Sequence, residues 1–239
     1  MAARFEEIDG RETPMGLITV RRRFEPTLEI DVYEVKLDDE FLMSSLFTVA
    51  ETQLAELALA TVDGSELDVV VGGLGLGYTA RAALADPRVR SLDVVDAIEA
   101  VIEWHVANLL PDASVLTADE RCHLVHGDFF AMVASGKRFR PNAPERVHAI
   151  LVDIDHTPRH VLHPSHAAFY ERAGLERLAK RLHPGGVFGL WADGPPDDDF
   201  LATAESVFSS CTAHTVSFPN FYTGEDSAST VYVANSGPG

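Results

Sequence analysis

The sequence predicts an α/β fold: a doubly wound, mostly parallel sheet of seven strands with an antiparallel C-terminal strand, preceded by a small N-terminal β-hairpin region. Three observations carry this prediction. Short apolar runs alternate with helix-forming segments over most of the chain, which is typical of a parallel sheet. A loop with four glycines in six residues follows the first of these runs. The last two apolar segments, "TAHTVSFPN" and "STVYVAN", have only a loop between them, so we expect them to pair antiparallel.

The N-terminal region is expected to be a separate β element. "GLITVRRR" and "EIDVYEVKL" alternate apolar and polar residues, and Glu25-Pro26-Thr27 is the predicted turn between them. The next segment, "LFTVAETQLAELALATV", predicts a helix with Thr48 as N-cap and Glu51 three residues later, in a capping-box pattern. We therefore divide the chain into an N-terminal β region, residues 1–46, and a main domain, residues 47–239.

The main domain is predicted to repeat strand, turn and helix. The strands are expected at 67–72, 91–96, 122–126, 147–153 and 186–192. The helices are expected at 77–86, 97–109, 128–135, 165–182 and 198–209.

Charge and composition exclude several classes of function. The formal net charge of −18 argues against a broad phosphate-binding surface, and we interpret the short basic run Arg21-Arg22-Arg23 as the polar end of a strand. The first residues, "MAARFEEIDGRETPMG", do not have the pattern of a signal peptide, and no apolar stretch approaches membrane-spanning length. Cys122 and Cys211 suit buried thiols in a reducing compartment. We expect a cytoplasmic protein with no nucleic-acid or membrane partner.

The glycine loop lies in "VVVGGLGLGYTARAAL", Val69 to Leu84, directly after the first parallel strand. At the switch point of a Rossmann-like sheet, such a loop lets the backbone approach a nucleotide or nucleoside and presents N–H groups to it. Tyr78-Thr79 stand where a phosphate loop needs Lys-Ser/Thr. A dinucleotide pattern runs from Gly75 to Ala80, but its first glycine lies past the strand end. Glycines that only make a tight turn remain the structural alternative.

Three matches resemble the class I S-adenosylmethionine-dependent transferases, and within them the spermidine synthase-like (polyamine aminopropyltransferase) branch. "VVVGGLGLGYTARAAL" is similar to the branch's glycine loop and helix start, "LDVVDAIEAVIEW" to its second strand and helix, and "VHGDFF" to its adenine-contacting segment. "ILVDIDHTP" and the N-terminal hairpin match more loosely. The resemblance implies S-adenosylmethionine or its decarboxylated form as cofactor, and a homodimer. Its implied cofactor-binding residues are Gly73, Gly75, Gly77, Asp96, Ala97, Asp128 and Phe129.

Three strand-end carboxylates fit this cofactor. Asp96 is placed to accept hydrogen bonds from two ribose hydroxyls, although it could also cap the following helix. Asp128 could accept from the adenine amino group while Phe129 or Ile98 packs on the ring; an N-cap role for Asp128 is the open alternative. Asp153 ends the fourth strand beside the expected sulfonium, where a carboxylate could orient or deprotonate a nucleophile.

Two motifs depart from the branch. Aminopropyltransferases have a loop like "GGGDGG", whose Asp holds the terminal amine of the decarboxylated cofactor, but this chain has "GGLGLG", with Gly75 in place of that Asp. An Asp there would repel the carboxylate of intact S-adenosylmethionine, whereas glycine N–H groups tolerate it, so the change favours methyl donation. The branch's "D-x-x-D-P" is replaced by "DIDHTP", which puts Asp155 one residue out of step.

The acceptor is expected to meet a histidine-rich loop. Pro158 and Pro164 interrupt any helix that would align the four histidines, and their spacing is not a recognised metal-binding one, so no metal is predicted. These histidines are His156, His160, His163 and His166. His156, the nearest to the strand end, is an alternative to Asp153 as the catalytic base. The candidate acceptor residues are Asp155, Tyr170, Trp191, Asp193 and Tyr222, with a core role as the alternative for Trp191.

The sequence thus predicts a transferase that uses S-adenosylmethionine to methylate a small, amine-bearing acceptor. The second hypothesis is aminopropyl transfer from the decarboxylated cofactor. The third is a catalytically silent paralogue that binds a nucleoside.

Overall fold

The computed structural model describes residues 5–237, which form two sheets. The N-terminal sheet is antiparallel, with its four strands in chain order. They are β1 (Phe5–Thr13), β2 (Gly16–Glu25), β3 (Ile30–Leu37) and β4 (Glu40–Ser44). The predicted hairpin is therefore the centre of a larger sheet. β1 was not predicted because its sequence, FEEIDGRET, is mostly polar and shows no alternation of apolar residues; most of this strand is exposed.

The second sheet has seven strands in the order β10-β11-β9-β8-β5-β6-β7. They are β5 (Leu67–Gly72), β6 (Val89–Asp96), β7 (Cys122–His126), β8 (Val147–Val152), β9 (Leu182–Asp193), β10 (Ser210–Asn220) and β11 (Glu225–Asn235). β11 is antiparallel to both of its neighbours, and the pairs from β9 to β7 are parallel. The predicted doubly wound, mostly parallel α/β fold with an antiparallel C-terminal strand is confirmed.

Helices cover both faces of this sheet. They are α1 (Val49–Leu59), α2 (Tyr78–Ala85), α3 (Glu99–Val106), α4 (Ala113–Thr117), α5 (Phe129–Ser135), α6 (Arg172–Ala179) and α7 (Asp198–Glu205). The helix predicted at 165–182 is wrong in its extent: a 3₁₀ helix, Pro164–Phe169, comes first, and α6 starts only after Tyr170 has turned inward. The short helix α4 was not predicted. None of the helices between residues 5 and 237 is long and apolar enough to span a membrane.

The core lies on both sides of the sheet because successive strand residues face opposite ways. Val69 and Val71 belong to one buried cluster and Val70 to the other. Ile18 and Val20 of β2 join the first cluster, so the N-terminal sheet packs on that face. The predicted boundary between residues 46 and 47 falls between β4 and α1, and the division into two domains stays a prediction. Residues 1–4 of the predicted N-terminal region and residues 238–239 of the predicted main domain lie outside the described residues.

The capping-box prediction for α1 is wrong. The Thr48 side chain makes no cap hydrogen bond to the start of the helix. Glu51 does not turn back toward Thr48 either, because its side chain is buried and lines a cavity next to the large sheet.

Candidate cofactor and acceptor site

The glycine loop lies at the carboxyl end of β5, and two of its glycines are required by close neighbours. Gly73 has φ +97°, and a Cβ there would lie 2.0 Å from the carbonyl oxygen of Asp153. Gly75 has φ +45°, and a Cβ there would lie 2.3 Å from Sδ of Met43. The loop therefore passes directly between the end of β8 and the last strand of the N-terminal sheet.

Most N–H groups of this loop already have acceptors. Gly73 N donates to the Val95 carbonyl at 2.9 Å, and Gly77 N donates to the Leu74 carbonyl at 2.7 Å. Leu76 N contacts only the thioether of Met43, at 3.1 Å, and sulfur is a weak acceptor. Leu76 is buried and is not among the residues that line the cavity beside this loop, so the loop offers few N–H groups to a ligand.

Asp96 ties the loop to the end of β6. Its Oδ2 accepts from Leu74 N at 2.9 Å, and its Oδ1 accepts from Ile98 N at 2.8 Å. Burial raises the pKa of Asp96, while the N–H groups of Ile98, Leu74 and Gly75 partly offset that effect. A carboxylate offers about four acceptor positions, so at least one remains for a hydroxyl group in the cavity.

A cavity of about 360 Å³ opens beside this loop, at the carboxyl ends of β5, β6, β8 and β9. Its ionisable lining consists of Glu51, Asp96, Asp153, His156 and Asp193, and no Lys or Arg side chain among the described residues lines it. Its apolar wall comes largely from the N-terminal sheet: Met15, Ile18, Val35, Phe41, Leu42 and Met43. The cavity therefore combines acidic groups at the sheet edge with an apolar cover, an environment suited to a cation with an apolar or aromatic body.

Asp153 and Glu51 face this cavity together. Asp153 follows β8, and its Oδ2 accepts from Oγ1 of Thr79 at 2.7 Å; the same hydroxyl lies 3.2 Å from the main-chain carbonyl of Glu51. Burial raises the pKa of Asp153 to about 6, with the Thr79 hydrogen bond opposing the effect. Burial and the neighbouring charge of Asp153 raise the pKa of Glu51 to about 8.

His156 and Trp191 also line the cavity. His156 Nε2 lies 3.2 Å from Oε1 of Glu40, and its carbonyl accepts from Asp193 N at 2.7 Å. The indole Nε1 of Trp191 is buried and has no hydrogen-bond partner within residues 5–237, so it is a donor that an occupant of the cavity would satisfy.

Three predicted acceptor residues do not line the cavity. Asp155 is buried, and its two oxygens accept from Leu162 N, His166 Nδ1 and the Tyr170 hydroxyl at 2.7–2.9 Å. This network fixes the histidine-rich loop to the interior. Tyr222 lies at the surface, where its hydroxyl donates to Glu25 at 2.8 Å.

Four of the predicted cofactor residues do not line the cavity. Asp128 caps α5, accepting from Ala131 N at 2.9 Å, as its alternative role predicted. Phe129 is buried beneath Gly72, at the start of the glycine loop. Gly77 precedes α2 with φ +85°, and the Ala97 carbonyl contacts Nε2 of His126 at 3.2 Å. Ile98 does line the cavity.

The four histidines of the loop are divided among three partners. His156 and His160 both approach Glu40, His166 pairs with Asp155, and His163 contacts Ser165. Within the described residues, no group of three or more His, Cys, Asp or Glu side chains is arranged to hold a metal ion.

Sequence reasoning missed Glu51, Met43 and His105. Glu51 fits a helix-start pattern, which concealed its burial in the cavity. Met43 lies on a short strand that was not predicted. His105 is buried in α3, and its Nε2 donates to the Gly75 carbonyl at 2.9 Å. Burial lowers the pKa of His105, so the ring is neutral at physiological pH.

Known structures share this architecture. A spermidine synthase solved with the transition-state analogue AdoDATO superimposes with a TM-score of 0.75 at 16% identity, covering 98% of this chain and 74% of its own. The Thermotoga maritima spermidine synthase gives 0.73 at 17% identity with the same coverage. The chain has a spermidine synthase-like fold. Human methyltransferase-like protein 13, solved with SAH, gives 0.53 at 21% identity over 80% of this chain and 79% of its own, so a methyltransferase shares this fold as well. No family model matches the sequence.

Proposed function

We propose that the protein is a transferase that uses S-adenosylmethionine to methylate a small-molecule acceptor with an amine group. The cavity lies where open α/β sheets bind ligands, at the carboxyl ends of the parallel strands. Similar folds hold AdoDATO in a spermidine synthase and SAH in a methyltransferase, which supports an adenosyl cofactor here.

Each part of the cofactor has a candidate partner in this arrangement. Asp96 has acceptor capacity left for a ribose hydroxyl, and Ile98 offers an apolar surface to the adenine ring. Asp128 would border the adenine from the start of α5, whereas Phe129 is buried beneath Gly72 in the cluster on the other face of the sheet. The acidic lining suits the sulfonium charge. Asp153 or His156 would take the proton that the acceptor loses, and holding the acceptor in line with the activated methyl group supplies most of the rate.

The observation that carries methyl rather than aminopropyl transfer is the packing of Met43 on Gly75. An aminopropyltransferase of this branch needs an Asp at that loop position to hold the terminal amine. Here the thioether occupies the space where the Asp side chain would begin, at 2.3 Å from the position of a Cβ. The amine-binding carboxylate is thus missing, and its space is filled.

A second candidate function, aminopropyl transfer, is favoured by the charge of the cavity. Four carboxyl groups and no Lys or Arg side chain line it among the described residues, and an environment of that sign attracts the doubly cationic decarboxylated cofactor. The loop also has few free N–H groups for the carboxylate of intact S-adenosylmethionine. Glu51 or Asp193 would then have to replace the missing loop aspartate.

Calorimetric titration of the cofactor-free protein with both cofactors separates these functions. Tighter binding of S-adenosylmethionine is expected, and preference for the decarboxylated form would establish the second candidate instead. Binding of neither would refute both.

Asp153→Asn then tests catalysis. We expect it to abolish turnover, because the variant lacks the carboxylate that takes the proton from the acceptor, while S-adenosylmethionine binding becomes weaker but stays measurable through Asp96 and Ile98. Asp226→Asn, at an exposed position of β11, is the matched control and should change neither. Unchanged turnover in Asp153→Asn would refute this assignment. A homodimer and a cytoplasmic location remain further proposals, the first tested by light scattering of the purified protein.

A further inference from the structure

Two carboxyl groups without a cation share one side of the cavity. Glu51 projects from the first turn of α1 and is 7% exposed, and Asp153 follows β8. No salt bridge involves either group within residues 5–237, and the only side-chain hydrogen bond to the pair comes from the Thr79 hydroxyl to Asp153. Apart from the Thr79 hydroxyl, no side chain therefore offsets the free-energy cost of burying negative charge on these two groups.

Other charged groups around α1 do not relieve this cost. Arg81 on α2 is directed to Asp112, at 2.7 Å, and over the ring of Tyr78. The remaining ionisable groups that line the cavity are Asp96, His156 and Asp193, and His156 contacts Glu40 rather than the pair. β10 and β11 contribute Phe218 and Ser229, neither of which titrates near neutral pH.

Neighbouring buried carboxyl groups do not both ionise readily, because each charge raises the cost of the other. The raised pKa of Glu51, about 8, agrees with this expectation, since its causes are burial and the charge of Asp153. At neutral pH and without a cation, the pair holds a proton.

We infer that Glu51 and Asp153 act as a proton-sharing carboxyl pair that loses its proton when a sulfonium cofactor binds and regains one when the cofactor becomes a neutral thioether. The inference rests on the proposed function and assigns Glu51 a role in distinguishing cofactor from product. A positive sulfonium beside the pair stabilises both charges, so the proton leaves to solvent. The neutral thioether offers no such stabilisation.

The same pair balances the protons of the reaction. When an amine nitrogen attacks the methyl carbon, the carbon–sulfur bond breaks and its electrons return to sulfur, which becomes neutral. The methylated nitrogen carries a positive charge and releases a proton. By then the pair is doubly ionised beside a neutral sulfur, so it accepts that proton and returns to its initial state.

Proton linkage measured by calorimetry tests the inference. S-adenosylmethionine and S-adenosylhomocysteine are titrated at pH 7 in buffers with different ionisation enthalpies, and the dependence of the observed heat on buffer gives the protons released. We expect about one proton to be released with the sulfonium and close to none with the thioether. Equal proton release for the two ligands would overturn the inference while leaving the proposed function intact, whereas no binding of either would refute the proposed function as well.

Glu51→Gln tests whether Glu51 is the group that releases the proton. The amide keeps the shape of a neutral carboxyl group, so we expect proton release on S-adenosylmethionine binding to disappear and the preference for it over S-adenosylhomocysteine to fall about tenfold. Glu56→Gln, at an exposed position of the same helix, is the matched control and should behave as the parent protein. Full proton release in Glu51→Gln would overturn the assignment of Glu51.

Discussion

Replacing Gly75 by aspartate restores the amine-binding residue of an aminopropyltransferase loop, and the structure indicates what opposes it. The new Cβ would stand 2.3 Å from Sδ of Met43, more than 1 Å inside an ordinary van der Waals contact of at least 3.4 Å. The residue would also need φ near +45°. A left-handed non-glycine residue costs about 1 kcal/mol, and displacing the flexible end of the Met43 side chain adds about 1 kcal/mol, the lower end of the range for overpacking. We therefore expect Gly75→Asp to lower the free energy of unfolding by about 2 kcal/mol.

A double-mutant cycle with Met43→Ala tests the cause. Removing the thioether opens the space that the new side chain needs, so the double variant should be more stable than the sum of the single effects predicts, by about 1 kcal/mol. Urea denaturation of the four proteins measures this difference, and Gly75→Ala separates the added Cβ from the added charge. Additive effects within about 0.5 kcal/mol would refute the argument that Met43 fills this space. If the argument is right, calorimetry should show that the double variant has shifted its preference toward decarboxylated S-adenosylmethionine.

Three further predictions follow from buried polar groups. His105→Leu leaves the Gly75 carbonyl without its donor, so cofactor affinity should fall about tenfold, measured by calorimetry, whereas a purely structural role would lower only the unfolding free energy. Tyr170→Phe removes a donor to Asp155 and should lower the unfolding free energy by about 2 kcal/mol in urea with cofactor affinity unchanged; weaker binding would show that this network reaches the cavity. The pKa of Glu51 is raised from 4.5 to about 8 in the folded protein, so the folded state retains a proton that the unfolded chain releases. The free energy of unfolding, relative to that of Glu51→Gln, should therefore fall as pH rises from about 5 to 8. We expect a fall of about 2–3 kcal/mol in urea denaturation, a value reduced for the access of solvent to the cavity. A pH-independent difference would contradict the buried-pair argument.

The centre of the sheet was predictable because β5 and β8 are short, largely apolar runs. Val69–Val71 are buried on both faces, and a run of that kind ended by glycines has few interpretations other than a central parallel strand. Asp96 and Asp153 were found by the same reasoning, since the end of a parallel strand fixes where its next side chain lies. Both line the cavity in the structure.

The rest of the site depends on packing between elements far apart in sequence. Asp155, two residues beyond Asp153, turns inward because His166 and Tyr170 supply its hydrogen bonds, and those partners come from a segment predicted as one continuous helix. Glu51 shows the converse case. Its Thr-x-x-Glu pattern predicts a capping box from local sequence alone. The packing of α1 against the large sheet instead directs the Glu51 side chain into the cavity.

Stability alone does not explain the acidic pair. A buried carboxyl group whose pKa is raised makes the folded state less stable at neutral and higher pH, and the neutral amide of Glu51→Gln would avoid that cost. The cavity nevertheless places Glu51 beside Asp153, with the Thr79 hydroxyl held against Asp153 and no cation within reach among the described residues. Such an arrangement is favourable only when a positive charge arrives from outside. Glu51→Gln should therefore be more stable than the parent protein above pH 8 and yet bind the sulfonium cofactor more weakly. Opposite effects on stability and binding are expected for a residue whose role is in binding rather than in folding.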